Sequence, residues 1–146
     1  MSKVTRTGKV WMTAVALCGI TLSIAGCAQQ DPTSQIQSFL ATESGPEDVL
    51  PSILETSGMD TKSSREVGTL GALRYFVTAY SVNGACLVIV DSKSAASSSA
   101  CGSDLSGLRT SSSEVGGARI VTDSDEVPPG WTRLADFLIV NPDATS

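Results

Sequence analysis

The sequence of 146 residues predicts an α+β fold: a small antiparallel β-sheet with one or two short helices, preceded by a cleaved signal peptide and a flexible tether. Three observations support this prediction. A helix-start signal lies near residue 46, an apolar pattern of period two begins near residue 65, and residues 1–26 have the composition of an export signal. The expected boundaries are 1–26 for the signal, 27–45 for the tether, 46–142 for the domain and 143–146 for the tail.

The N-terminal segment has the three parts of a secretory signal. Residues 1–9 carry three basic residues and no acid, residues 10–24 are mainly apolar, and Ala25 and Gly26 are small. A membrane-spanning helix needs roughly 20 apolar residues, and this run is shorter. We therefore expect the segment to direct export and then to be removed.

The junction Ile24-Ala25-Gly26-Cys27 resembles the lipobox of bacterial lipoproteins. The resemblance implies that a diacylglyceryl group is attached to the sulfur of Cys27 and that a signal peptidase cleaves between Gly26 and Cys27. Two acyl chains hold a protein stably at a membrane, whereas one chain holds it only reversibly. The expected location is the extracytoplasmic face of the cell membrane. Ordinary signal cleavage and an uncleaved helix are the alternatives.

Residues 27–45 are expected to form the tether. They are rich in Gln, Ser, Thr, Asp and Pro, and their only sizeable apolar residues are Ile36, Phe39 and Leu40. Such a composition buries too little apolar surface to offset the entropy of ordering. We expect a mobile spacer with a short helical turn around residues 34–41.

A helix is expected to begin near Pro46 and to end at Gly58. Ser44 supplies an N-cap hydroxyl three residues before Glu47, and Pro46 occupies a position where the helix needs no N–H donor. Apolar residues at helical spacing follow, although Pro51 should break or restart the helix. These apolar residues are Val49, Leu50, Ile53 and Leu54.

The strongest local pattern is a β-hairpin formed by residues 73–82 and 85–91. Asn83-Gly84 between them is typical of a two-residue type I′ turn, because these residues adopt positive φ angles readily. The resulting register places three pairs on the core face: Val77 with Val90, Ala79 with Val88, and Ser81 with Cys86. The opposite face pairs Phe76 with Asp91, Thr78 with Ile89, and Tyr80 with Leu87.

The remaining segments are assigned to shorter strands and to loops. We expect strands at residues 65–70, 119–122 and 137–140. Residues 93–102 and 110–117 are dominated by small and polar residues, which is typical of surface loops.

The cysteine count indicates one disulfide bond. Of four cysteines, Cys18 leaves with the signal and Cys27 takes the lipid, so Cys86 and Cys101 remain in an exported domain. Neither a Cys-x-x-Cys motif nor any histidine is present, which argues against disulfide exchange and a Cys/His metal site. We expect a structural bridge between Cys86 and Cys101.

The charge disfavours polyanionic partners. Seven basic and 15 acidic residues follow Gly26, a net charge of −8, and the basic residues are scattered singly. Nucleic-acid binding requires clustered Lys and Arg, so we expect none. The membrane is expected to be bound through the lipid alone.

Catalytic chemistry finds little support in the sequence. The absence of histidine removes the usual base of serine and cysteine nucleophiles and the commonest metal ligand. Ser–Lys neighbours occur at residues 62–64 and 92–94 without the spacing of known sites. A pair of catalytic carboxylates remains open among Glu47, Asp48, Glu55, Glu66 and Asp136. We expect no catalytic residues, cofactor or metal.

Two further motifs each allow a structural and a functional interpretation. Asp123-Ser-Asp125-Glu126 could supply calcium ligands, but it lacks the spacing of a calcium loop and is interpreted as a solvated turn. Val127-Pro-Pro-Gly-Trp131 could be an exposed ligand for an aromatic groove, and is interpreted as a turn that buries Trp131 over the core.

Together, the lipobox, the tether, the strand at Cys86-Leu-Val-Ile-Val and the segment 131–142 resemble the small one-disulfide lipoproteins of unknown function from high-GC Gram-positive bacteria. The resemblance implies location and architecture, and no activity. We expect a non-enzymatic envelope module that binds a protein or small ligand or has a structural role. The alternative is a small, histidine-independent cell-envelope hydrolase or an inhibitor-like domain.

Overall fold

The structure is a computed structural model that describes residues 30–52, 54 and 58–144. Within these ranges, helix α1 (Pro32–Leu40) and a 3-10 helix (Pro46–Asp48) precede eight strands. The strands are β1 (Met59–Leu70), β2 (Leu73–Tyr80), β3 (Gly84–Asp91), β4 (Ser97–Gly102), β5 (Arg109–Ser112), β6 (Gly116–Ile120), β7 (Thr132–Ala135) and β8 (Leu138–Asn141). The signal, the cleavage site and Cys27 lie outside the described residues.

The strands form two antiparallel sheets. The first has the order β1-β2-β3-β4 and the second has the order β5-β6-β8-β7. Two antiparallel sheets with one α-helix are compatible with the expected small α+β fold, whereas the expectation of a single sheet is wrong. Neither described helix combines the length and apolarity that a membrane span requires.

One main core lies between the two sheets and α1. Alternate residues of β2 and β3 contribute Tyr75, Val77, Leu87 and Ile89 from the first sheet. The second sheet and α1 contribute Ala118, Ile120, Leu138, Val140 and Ile36. Because side chains alternate along a strand, these residues share one face of each sheet and exclude water together.

A second apolar cluster covers the opposite face of the first sheet. Phe76, Cys86, Val88 and Val90 are buried there against Leu50. The segment that follows the 3-10 helix therefore covers a face that the β2–β3 pattern leaves apolar. As a result, β3 is buried on both faces and its sequence is a continuous apolar run.

The edges of the two sheets cover one another. On one side β4 lies against β5, where the hydroxyls of Ser98 and Thr110 are 2.6 Å apart. On the other side β1 lies against β7, where a Cβ added to Gly68 would be 3.2 Å from Leu134. This arrangement shields strand edges that would otherwise be open to pairing with other chains.

The tether expected at residues 27–45 needs correction. Residues 32–40 form α1, Ile36 is fully buried, and the Phe39 ring lies 5.4 Å from the Phe137 ring. The apolar residues of this segment therefore suffice to dock a helix on a core supplied by the rest of the chain. The short turn expected at 34–41 is a nine-residue helix, and the domain begins before residue 46.

The longer helix expected from Pro46 is also wrong. The helix stops at Asp48, and Val49 is extended and 68% exposed, whereas Leu50 is buried. Its N-cap is Gly45, whose N–H donates to the Asp48 carboxylate, and no side chain of Ser44 is involved. Pro51 lies where continuation would require an N–H donor, and the described residues 49–52 and 54 are not helical.

The β2–β3 hairpin is confirmed, but its turn and register differ from the prediction. Three residues, 81–83, separate the closing pair Tyr80 and Gly84, and Ser81 has the positive φ angle. Val77 therefore faces Leu87, three positions away from the expected Val90. Because the shift is odd, Cys86, Val88 and Val90 lie on the face of Phe76.

Two of the three shorter strands expected outside the hairpin are confirmed, and two expected loops are not. Strand β1 contains the predicted residues 65–70, and β8 closely matches 137–140. The predicted strand at 119–122 is displaced, since β6 ends at Ile120. Residues 93–102 contain β4, and residues 110–117 contain most of β5 and the start of β6. Small and polar residues occur there because edge strands and turns tolerate them.

Candidate functional site

The disulfide bond joins two strands directly. Cys86 on β3 and Cys101 on β4 are register partners with Cα atoms 4.0 Å apart, and the S–S bond is present. Cys86 is fully buried beside Phe76 and Val88. The bridge ties the edge strand to the centre of the sheet, so the expected pairing is confirmed.

Two candidate acids, Asp48 on the 3-10 helix and Glu66 on β1, have internal partners. The Asp48 carboxylate accepts hydrogen bonds from the backbone N–H groups of Gly45 and Glu66, at 2.7 and 2.6 Å. Glu66 pairs with Arg74, whose guanidinium also donates to the Glu47 carbonyl oxygen. These contacts fasten the 3-10 helix to β1.

The Ser–Lys neighbours form no nucleophile and base pair. Ser63 donates to the carbonyl oxygen of Asp60 at 2.7 Å, and Ser64 donates to that of Asp48. Ser92 donates to the carbonyl oxygen of Ala72, and Ser94 donates to the Asp91 carboxylate. All four hydroxyls close turns or join strands.

The acidic motif at residues 123–126 forms a turn. The Asp125 carboxylate accepts the N–H of Thr122 at 2.8 Å, and Arg133 donates to the carbonyl oxygens of Thr122 and Asp125. Across the described ranges, no group of three His, Cys, Asp or Glu side chains is arranged to hold a metal ion. The other candidate acid, Glu55, lies outside those ranges.

Trp131 lies on the outside of the second sheet, so the expectation that it covers the core is wrong. It is half-buried, stands close to Gly117 and has the Arg119 guanidinium 5.7 Å from its ring centre. The main core is closed by α1 and Phe137 in its place. Gly117 provides room because any Cβ there would contact the indole ring.

Arg119 also borders a groove of about 350 Å³. Its Nε atom is buried without a hydrogen-bond partner among the described residues. Asp125 and Glu126 also line this groove. Two carboxylates beside one guanidinium disfavour an anionic ligand at this groove.

A larger concave surface lies between α1 and the β7–β8 turn, and we call it the α1 groove. It has a volume of about 520 Å³, within the roughly 300–1,000 Å³ of small-ligand pockets. Its walls are Gln30, Gln35, Ser38, Phe39, Thr42, Ala135, Asp136 and Phe137. Amide, hydroxyl and carboxylate groups therefore surround an aromatic floor, and no basic residue lines it.

The polar groups of the α1 groove are only partly satisfied. The Gln35 side-chain N–H donates to the Gln30 carbonyl oxygen at 3.3 Å, whereas its Oε1 atom is buried without a partner among the described residues. Asp136 is exposed. The groove therefore presents acceptors to a ligand that brings hydrogen-bond donors.

Asp31 fixes the position of α1 at the groove. Its carboxylate accepts the N–H groups of Thr33 and Ser34 at 2.8 and 3.2 Å, as expected of an N-cap. Hydrogen bonding with Ser34, whose hydroxyl also donates to this carboxylate, lowers the pKa of Asp31. The helix start is thus held by the ionised carboxylate.

Sequence reasoning placed no ligand at the α1 groove. Its residues come from the segment interpreted as a tether and from the β7–β8 turn, about 100 positions apart in the chain. The spacing of Ile36, Phe39 and Leu40 was the available signal, because it fits one face of a helix.

Comparison of the chain with protein-family models, curated proteins and solved structures finds no significant match.

Proposed function

We propose that the protein is a lipid-anchored envelope module, held at the extracytoplasmic face of the cell membrane by a diacylated Cys27, that acts by binding and not by catalysis. The observation that carries the anchoring is the junction Ile24-Ala25-Gly26-Cys27 after an export-type segment. The folded domain follows almost at once, since Asp31 already caps α1. Anchor and domain are thus adjacent in the chain.

A binding role is supported by the contacts of the candidate catalytic groups. The hydroxyls beside Lys62 and Lys93 donate to backbone carbonyl or carboxylate oxygens. Asp48 accepts two backbone N–H groups, and Glu66 pairs with Arg74. Side chains with such partners hold the fold together, whereas a catalytic group must reach a reacting atom.

The arginine contacts support a partner that is not a polyanion. Arg65 donates to the carbonyl oxygens of Thr42 and Ser64, and Arg74 contacts Glu66 and lies over the Phe76 ring. Arg133 donates to three backbone carbonyl oxygens. Guanidinium groups used in this way are poorly placed to neutralise phosphates.

Membrane fractionation of Cys27→Ser tests the anchoring. We expect the unchanged protein in the membrane fraction, with an N-terminal peptide whose mass includes a diacylglyceryl group on Cys27. The variant should accumulate unprocessed or be released, because the thiol that accepts the lipid is absent.

Cys18→Ser is the matched control, because Cys18 lies in the apolar run before the lipobox. This variant should be processed and anchored like the unchanged protein. A Cys27→Ser protein that is cleaved after Gly26 and still fully membrane-bound would refute the proposal.

A further inference from the structure

The docking of α1 leaves very little chain between the lipid and the folded domain. Asp31 is fixed as the N-cap of α1, and Gln30 is tied to Gln35 by a hydrogen bond of 3.3 Å. Three peptide units separate Cys27 from Gln30, and they span at most about 10 Å when fully extended. If Cys27 carries the proposed lipid, the domain stays within about 10 Å of the bilayer surface.

The α1 groove lies beside that attachment point, because Gln30 is one of its walls. The headgroup layer of a bilayer is about 5–8 Å thick on each side, as the difference between core and total thickness implies. A connection of about 10 Å therefore brings the groove to the depth of the lipid headgroups. Lipids of the same leaflet are the molecules that the anchor presents to it at high local concentration.

The lining of the groove selects among headgroups. Gln35 Oε1 is a buried acceptor without a partner in the described part of the chain, and Asp136 is an exposed carboxylate. No basic residue lines the groove, and the chain after Gly26 has a net charge of −8. The guanidinium groups next to the lining, those of Arg65 and Arg133, donate to the carbonyl oxygens of Thr42 and Asp136. A headgroup with free negative charge is therefore disfavoured, whereas hydroxyl groups can donate to Asp136 and, once the half-buried side chain turns toward the groove, to Gln35 Oε1.

The aromatic floor adds an apolar requirement. The rings of Phe39 and Phe137 lie 5.4 Å apart and are inclined by 58°. Because Phe137 is only 5% exposed, the half-buried Phe39 ring is the surface on which the C–H face of a sugar can pack while its hydroxyl groups bind the walls. We propose that the α1 groove binds the uncharged, polyhydroxylated headgroup of a membrane glycolipid, with α1 facing the bilayer.

Site-directed fluorescence in reconstituted vesicles tests this proposal, which rests on the proposed lipid anchor. Gln37 is exposed on α1 beside the groove without lining it, so Gln37→Cys carries an environment-sensitive fluorophore. Ser113→Cys is the control, because the β5–β6 turn lies at the far end of β8 from the groove. Each labelled, lipidated protein is placed in vesicles of phosphatidylcholine alone, with diglucosyl diacylglycerol, or with phosphatidylglycerol.

We expect the label at residue 37 to shift to shorter wavelength and to lose at least half of its quenching by aqueous iodide in the glycolipid vesicles. The label at residue 113 should behave alike in all three vesicles. Gln35→Leu should abolish the glycolipid effect without lowering the melting temperature, because it removes the unpartnered acceptor together with only one exposed hydrogen bond, that to Gln30, and keeps the helix.

Three results would overturn the proposal. The first is equal behaviour of the two labels in every vesicle, and the second is equal or greater protection by phosphatidylglycerol. The third is a glycolipid effect that survives Gln35→Leu. Mass spectrometry of the N-terminal peptide separates the two proposals: an unmodified Cys27 refutes both, whereas a lipidated protein with any of these results refutes only the groove assignment.

Discussion

The Asp48 carboxylate accepts a hydrogen bond of 2.6 Å from the backbone N–H of Glu66, 18 residues further along the chain. The same carboxylate accepts the N–H of Gly45 at 2.7 Å, and the Asp48 carbonyl oxygen accepts the hydroxyl of Ser64. Asp48 is 8% exposed, so water competes little for these donors. This single residue joins the segment after α1 to strand β1.

Replacement of Asp48 by Ala should lower the free energy of unfolding by about 3 kcal/mol, since two hydrogen bonds to an ionised group are lost and the donors are partly buried. Urea denaturation measures the change. Glu47→Ala is the matched control, because Glu47 is the adjacent acid and its side chain is exposed. Equal stability of the two variants would show that Asp48 does not fasten this segment.

Removal of the disulfide bond with Cys86→Ala and Cys101→Ala together should lower the free energy of unfolding by about 3 kcal/mol, the chain-entropy estimate for a loop of this length. The sequence separation is 15 residues. Denaturation with and without reductant checks this value. The unfolded, unreduced mature protein should show no free thiol, and titration of two thiols would contradict the bridge.

Ile36→Ala should lower the free energy of unfolding by about 2–5 kcal/mol, as expected when a fully buried isoleucine is truncated. A tether would show no such effect, so the measurement decides whether α1 belongs to the domain. Gln37→Ala is the control on the same helix, because Gln37 is exposed. We expect this control to change stability by less than about 0.5 kcal/mol.

Tyr75→Phe should raise the stability at neutral pH by about 1 kcal/mol, because the buried hydroxyl of Tyr75 has no hydrogen-bond partner among the described residues. Burial raises the pKa of Tyr75 from 10.0 to about 12. Between these values the folded protein keeps a proton that the unfolded chain loses, so the free energy of unfolding falls as pH rises from 10 to 12.

Urea titrations at pH 9 to 12 measure this contribution. Tyr75→Phe should flatten the decline relative to the unchanged protein, whereas Tyr80→Phe, which retains Tyr75, should keep it. An unaltered decline in the Tyr75 variant would show that this phenol is not the group responsible.

The hairpin illustrates how far sequence patterns reach. Alternating apolar residues around Asn83-Gly84 predict two paired strands, and β2 and β3 are present. The turn has three residues, because Gly84 begins β3 in close contact with its neighbours: a Cβ there would lie 2.6 Å from the carbonyl oxygens of Tyr80 and Gly102. The local turn and strand preferences of these residues identified the hairpin. Its register in the folded protein, where β3 also pairs with β4, differs from the expected register by three residues.

The edge strands show the opposite case. Residues 97–102 and 109–112 contain mainly serine, alanine and glycine, so their local pattern is typical of loops. They are strands because β3 and β6 supply hydrogen-bonding partners and the bridge to Cys86 holds β4 in place. Strand propensity depends strongly on such neighbours.

The sequence alone predicted the cysteine pairing, a fold class compatible with the structure, and the central hairpin. It is also the basis for expecting an anchor at Cys27. These features depend on residue type, on short-range periodicity and on counting. The docking of α1, the division into two sheets and the α1 groove required the folded chain, because each depends on contacts between segments far apart in sequence. Ile36 is the clearest example: it lies in a polar segment, and only a core built by β2, β3, β6 and β8 makes its burial favourable.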